Sequence, residues 1–167
     1  MIQRRTLALL PAAAAALLAS GLPIAGLAQS KKDTMVLAMA LEPPGLDPTA
    51  GAASAIAEIV LYNVFETLTK IGPDGNVTPL LAESWEVSPD LKTVTFKLRK
   101  DVKFQNGEPF NSQTVKYSFE RAAGEKSTNK DKRTFAAMES VRVVDEHTVV
   151  VINKEPDPDF PFYMGQA

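Results

Sequence analysis

The chain has 167 residues, 45% apolar and 23% charged, an ordinary globular balance that suffices for one core or part of a larger one. Its formal charge of −2 implies neither long-range attraction to nucleic acid nor a polybasic membrane patch. It has no cysteine, which removes disulfides, cysteine zinc sites, thiol nucleophiles and a lipid-modified N-terminal Cys.

Arg4 and Arg5 precede an uncharged run from Thr6 to Ser30, rich in Ala and Leu. Gly26-Leu27-Ala28 then offers small residues at the two positions that a signal peptidase reads, so residues 1–28 are expected to be a signal peptide cleaved after Ala28. An uncleaved anchor is the other reading of that length, but Pro11, Gly21 and Pro23 weaken a spanning helix. The arginine pair leaves general secretory and twin-arginine export both open. Cleavage would remove Arg4 and Arg5 and move the charge from −2 to −4. The mature product is expected to be soluble, exported and periplasmic.

Thr34 to Ala40 reads as a short, fully buried strand that must leave its sheet at Pro43-Pro44. From Ser54 the apolar spacing becomes helical, with Ile56, Ile59, Val60, Val64 and Leu68 on one face. A strand over Leu68–Ile71 leads into a turn at Gly72-Pro73-Asp74-Gly75-Asn76. Trp85 and Val87, then Val94, Phe96 and Leu98, alternate with polar residues, which predicts a β-hairpin with one wet face. A third strand is expected at Val102–Phe104, before the tight-turn pair Asn106-Gly107. Asn111 suits a helix N-cap, and Val115, Phe119 and Ala122 mark that helix's buried face. Gly124 to Arg133 reads as a solvated loop. A second hairpin, Val141–Val144 with Thr148–Ile152, turns at Asp145-Glu146-His147. Phe160, Phe162 and Tyr163 then crowd the last residues with no later segment to cover them, so the chain reads as a piece of a larger fold.

Residues that could do chemistry are scarce. His147 is the single histidine and sits at an expected hairpin tip, so it reads as a solvated turn residue; a metal site or a nucleophile triad needs partners that it lacks. The glycines fall at turns and form no phosphate-cradling loop. Asp74 and Asn76 beside Gly75 lack the remaining spacing of a calcium loop. The pairs Asp145/Glu146 and Asp157/Asp159 lie in turns or beside prolines, without the burial that general acid-base work needs. The basic residues of Lys126–Arg133 have no interleaved aromatic for nucleic acid. Trp85 reads first as core packing, with ligand stacking as the other reading. The small residues Thr49, Ala50, Gly51, Ala52, Ala53 and Ser54 follow a strand and open a helix, a place where a ligand can approach the backbone. They are the candidate ligand-binding residues; an ordinary strand-helix connection is the alternative. No catalytic residue, metal ligand or cofactor site is expected.

The ordered motifs Leu46-Asp47-Pro48, Phe65-Glu66-Thr67-Leu68, Pro79 to Trp85, Thr95-Phe96-Lys97-Leu98-Arg99, and Val102-Lys103-Phe104 with Asn106-Gly107-Glu108-Pro109-Phe110 give the chain its character. As a set it resembles the extracytoplasmic solute-binding proteins of family 5, the dipeptide-, oligopeptide- and nickel-type binding subunits of ABC transporters. The later hairpin and Glu155-Pro156 also fit, so the resemblance covers residues 34–164. It implies an α/β fold of the type II periplasmic-binding-protein kind: an incomplete first lobe over residues 29–72 and a truncated α+β N-terminal subdomain over 73–167. It implies a non-enzymatic subunit, monomeric when full-length, that captures a peptide or other small solute and delivers it to permease subunits. It also implies that the loop after Leu46-Asp47-Pro48 lines the cleft. The chain departs from the family pattern in three places. Leu91 stands where Gly is usual, Asn106 where Asp is commoner, and Asn111-Ser112-Gln113-Thr114 lacks the acidic third residue of the helix start. Rival readings are the non-catalytic half of a secreted hydrolase, or the same fold holding a nickel chelate, opine or sugar.

Overall fold

The computed structural model describes residues 36, 38–51 and 53–166. The expected signal peptide lies outside them. So do Thr34, Met35 and Leu37 of the first expected strand, whose described residues correct the expectation. Val36, Ala38, Met39 and Ala40 lie in no strand and are exposed. A strand needs a ladder partner, and no described strand offers this segment one. Met39–Ala167 forms one compact unit.

The first helix, α1 (Ser54–Val60), is shorter than its spacing predicts. Ala55, Ile56 and Val60 are buried, but Leu61 turns extended and Tyr62 takes φ 65°. Val64 therefore leaves the apolar face and is exposed. Leu68 is buried from outside the helix. Next, β1 (Thr69–Ile71) and β2 (Val77–Pro79) form an antiparallel hairpin closed by the expected turn. Gly75 supplies φ 79° there, and the Asp74 carboxylate accepts from both the backbone and side-chain amides of Asn76.

The main sheet has four antiparallel strands: β3 (Ala82–Val87), β4 (Thr93–Leu98), β5 (Met138–Asp145) and β6 (Thr148–Asn153), in the order β3-β4-β6-β5. Both expected hairpins are present, and β4 pairs with β6 to join them. Period-2 alternation sends Val94, Phe96, Leu98, Val149 and Val151 to one face, all buried. Trp85, opposite Phe96, is half-buried and packs against that same core. The other face is less wet than alternation implies. Thr148 and Val150 of β6 are buried there because β4 and β5 flank that strand on both sides.

The expected third strand at Val102–Phe104 is not a strand. Only the Lys103–Pro109 bridge forms, around a loop in which the Phe104 amide donates to the Glu108 carbonyl (2.8 Å) and Gly107 takes φ 88°. Three residues are too few to build a ladder without a partner strand. Leu91 adopts φ 59°, the left-handed geometry that glycine would take without steric cost.

Two helices and a terminal turn complete the core: α2 (Ser112–Ala123), α3 (Lys132–Ala136) and α4 (Phe160–Tyr163). Val115, Phe119 and Ala122 face the sheet as predicted. Phe119 meets Phe135 of α3 at a ring separation of 5.2 Å. The solvated loop thus ends at Asp131, because Phe135 draws Lys132 and Arg133 into a helical turn. Phe160 corrects another expectation. It is fully buried, 6.4 Å from Phe96 between ring centres. The chain itself covers it.

At the start of α2, Asn111 Oδ1 accepts from the Gln113 and Thr114 amides, at 3.0 and 3.1 Å. Thr114 Oγ1 in turn accepts from the Asn111 amide at 3.1 Å, so a hydroxyl completes the reciprocal cap where the family pattern carries an acidic residue. Asn111→Ala is expected to lower unfolding free energy by about 1 kcal/mol, and Asn111→Ser to retain most of it, in urea titrations.

Candidate functional site

A groove of about 860 Å³ opens between α2, the connection after it, and the segment that follows α1. Its floor is apolar: Leu68, Phe110, Val115, Phe119, Phe135 and Met164. Its rim carries both signs of charge, with Asp47, Glu66 and Glu125 against Arg121 and Lys126. Such a surface can receive an apolar side chain while the rim holds polar or charged groups beside it. Nothing in it resembles a catalytic constellation. Among the described residues no group of three His, Cys, Asp or Glu could hold a metal ion.

Of the six candidate residues, one lines the groove. Thr49 is set there by Asp47, whose Oδ1 accepts from the Thr49 amide (2.8 Å) and hydroxyl (2.7 Å). The Thr49 carbonyl accepts from the Lys130 amide at 2.7 Å, which fastens the loop to the connection before α3. Ala50, Ala53 and Ser54 are exposed outside the groove, and Ala52 lies outside the described residues. Gly51 is small for a local reason: a Cβ there would meet Ile56 Cδ1 at 2.6 Å. That space holds the protein's own helix.

Sequence reasoning missed most of the groove wall, including Arg121 and Phe104. It also missed Tyr62, whose Oη donates to the Gly165 carbonyl (2.7 Å) and accepts from the Ile71 amide (3.2 Å). No residue spacing signals these contacts, because they join segments distant in sequence. His147 is half-buried rather than solvated, with Nδ1 sheltered and without a hydrogen-bond partner. The depression beside it, of about 490 Å³, has Lys97, Lys100, Glu83 and Asp145 around it.

Four turn aspartates are held below the ordinary 3.8 by hydrogen bonds to their carboxylates. For Asp47 the Thr49 hydroxyl contributes most, then the Thr49 amide; for Asp145 it is the His147 amide, then the Thr148 hydroxyl. For Asp74 the Asn76 amide leads, and for Asp90 the Ser88 hydroxyl. A lowered folded value means the stabilisation is complete above the unfolded value and is lost as pH falls through the folded one. Melting temperature is expected to hold down to about pH 5 and to fall below about pH 4. In Asp47→Asn and Asp145→Asn that acid limb should be shallower, as thermal melts across pH would show.

The architecture is an α/β scaffold with a groove and, among the described residues, no catalytic grouping. The family described as "Bacterial extracellular solute-binding proteins, family 5 Middle" matches residues 76–167, more than half of the chain, and the chain belongs to it. The probable D,D-dipeptide-binding periplasmic protein DdpA of Escherichia coli (strain K12) is 32% identical over 97% of this chain and 32% of its own length. The nickel-binding periplasmic protein of the same organism is 54% identical over 34% of this chain and 11% of its own length. Among solved structures, NikZ from Campylobacter jejuni in complex with Ni(L-His) superposes with TM-score 0.68 at 28% identity, over 76% of this chain and 25% of that one. The fold is therefore the type II periplasmic-binding-protein fold over the part that this chain covers. The chain spans about a third or less of these relatives' lengths.

Proposed function

We propose that this chain belongs to the extracytoplasmic solute-binding subunit of an ABC importer, most naturally one for peptides, and that it is not an enzyme. The observation that carries this is family membership together with a dipeptide-binding relative that aligns along nearly the whole chain. The absence of any catalytic grouping among the described residues is compatible with it, since capture needs no covalent chemistry. The subunit holds its solute between two lobes and docks, closed, on the permease. Closure is favoured by contacts that only the closed state makes. Residues 1–28 serve as a cleaved export signal to the periplasm, residues 29–72 begin the first lobe, and residues 73–167 are its N-terminal subdomain. The match from residue 76 supports that second boundary. Of the candidate run, Thr49, oriented by Asp47, is the residue that lies at the ligand cleft.

A nickel chelate is the second reading, favoured by the higher identity to the nickel-binding relative over its shorter stretch and by the Ni(L-His) complex of the similar structure. The hydrolase alternative has no support from these relatives.

Thermal melts of the complete protein against a panel of di- and oligopeptides and metal-histidine chelates test this. A ligand at 100 times its Kd adds about 2.7 kcal/mol to the folded state, a shift of several degrees. Peptides are expected to give that rise. A rise with nickel-histidine alone selects the second reading, and a flat response across the panel counts against both.

A further inference from the structure

The loop Val102–Phe110 carries the sequence Asn106-Gly107 at its exposed tip. We propose that Asn106 is a site of spontaneous deamidation, the fastest among the described asparagines, and that one of its two products opens the wall of the groove.

The reaction needs the amide nitrogen of the following residue to reach the asparagine Cγ. A side chain on that residue obstructs the approach, and a β-branched one obstructs it most. Gly107 has none, and both residues are exposed. Glu108 donates its amide to Asn106 Oδ1 at 3.0 Å, which draws electron density from Cγ and makes it a better electrophile. The Gly107 amide is engaged only with the Phe104 carbonyl, at 2.8 Å, inside an exposed loop held by few backbone bonds. Such loops open locally at little cost.

The other asparagines lack this combination. Asn63 and Asn76 precede Val64 and Val77. Asn129 and Asn153 precede lysines. Asn111 precedes the small Ser112, but Ser112 is fully buried and its amide donates to the Glu146 carbonyl at 2.9 Å.

In the reaction, the Gly107 amide gives its proton to base and its nitrogen bonds to Asn106 Cγ. The bond from Cγ to the side-chain nitrogen breaks, and ammonia leaves after protonation. Water then opens the cyclic imide. Opening at Cγ gives an aspartate on an unchanged backbone. Opening at the main-chain carbonyl routes the backbone through Cγ and gives isoaspartate. The net change is asparagine plus water to a carboxylate plus ammonium, with no oxidant or reductant.

The two products differ in consequence. Aspartate keeps the acceptor for Glu108 and should leave the turn intact. Isoaspartate lengthens the main chain by one carbon between Phe104 and Glu108, where two backbone bonds close the loop. Phe104 lines the groove and stands edge-on to Phe110, ring centres 6.2 Å apart, so that wall shifts.

The complete chain is incubated, folded, in warm and mildly alkaline buffer and then mapped by peptide mass spectrometry, with isoaspartate scored by methyltransferase labelling. A gain of about one mass unit confined to the peptide containing Asn106, roughly tenfold faster than at any other described asparagine, is expected from the lack of a side chain at Gly107. Asn106→Gln should abolish it. Asn106→Asp should match the unaged protein in hydrogen exchange at Phe104 and Gly107, whereas the isoaspartate fraction exchanges faster there. Conversion at Asn111 as fast as at Asn106, or conversion at Asn106 only after denaturation, overturns the proposal.

Discussion

Phe160→Ala is expected to remove about 3–5 kcal/mol of unfolding free energy. Phe160 has no exposed surface and meets Phe96, which is also fully buried at the centre of β4. Its ring joins the core shared by the sheet, α2 and Met164. Deleting it loses the transfer energy of the ring and leaves a cavity that a closely packed sheet cannot fill by relaxing. A domain of this size commonly holds only about 5–15 kcal/mol in total, so the variant should lose most of its cooperative melt. Phe162, half-buried two residues on, should tolerate alanine at much smaller cost. Urea titrations of the two variants make the comparison. Equal midpoints would mean that Phe160 is not the anchor described here.

That contrast shows what the sequence could and could not disclose. Period-2 alternation records which face of a strand is buried, so Val94, Phe96 and Leu98 were legible, as were Val115, Phe119 and Ala122 at helical spacing. Turns that need positive φ declare themselves when glycine fills them, as Gly75 and Gly107 do, and stay hidden when another residue accepts the strain, as Asp101 does. The end of α1 was illegible for a different reason. Val64 keeps helical spacing, yet the chain reverses at Tyr62, held by the carbonyl of Gly165, 103 residues away. Phe160 looked uncovered because its partner comes from β4. The candidate site divides along the same line. Asp47 fixes Thr49 through bonds between near neighbours, and that residue does line the groove. A run of small residues does not say what occupies the space it leaves, and at Gly51 the occupant is Ile56.

Thr69→Val is expected to cost about 1–3 kcal/mol although it preserves shape, because it leaves a buried carbonyl without a donor. Thr69 has no exposed surface, and its Oγ1 donates to the Pro161 carbonyl at 2.7 Å. The same strand receives the last described residues closely: a Cβ on Gly165 would lie 3.1 Å from Thr69 Oγ1 and 3.3 Å from its carbonyl oxygen. Tyr62 adds the second fastening through the Gly165 carbonyl. Thr69→Ser keeps the donor and loses only a methyl, about 1 kcal/mol or less, so the expected order of stability is wild type, then serine, then valine. A purely apolar role for Thr69 would reverse the last two. The consequence reaches the groove, since Tyr163 and Met164 line it and are carried by the segment that Thr69 and Tyr62 hold. Thr69→Val and Tyr62→Phe should therefore couple in a double-mutant cycle by more than about 0.5 kcal/mol, because both fasten one segment. Additive effects would show two independent contacts and no shared latch.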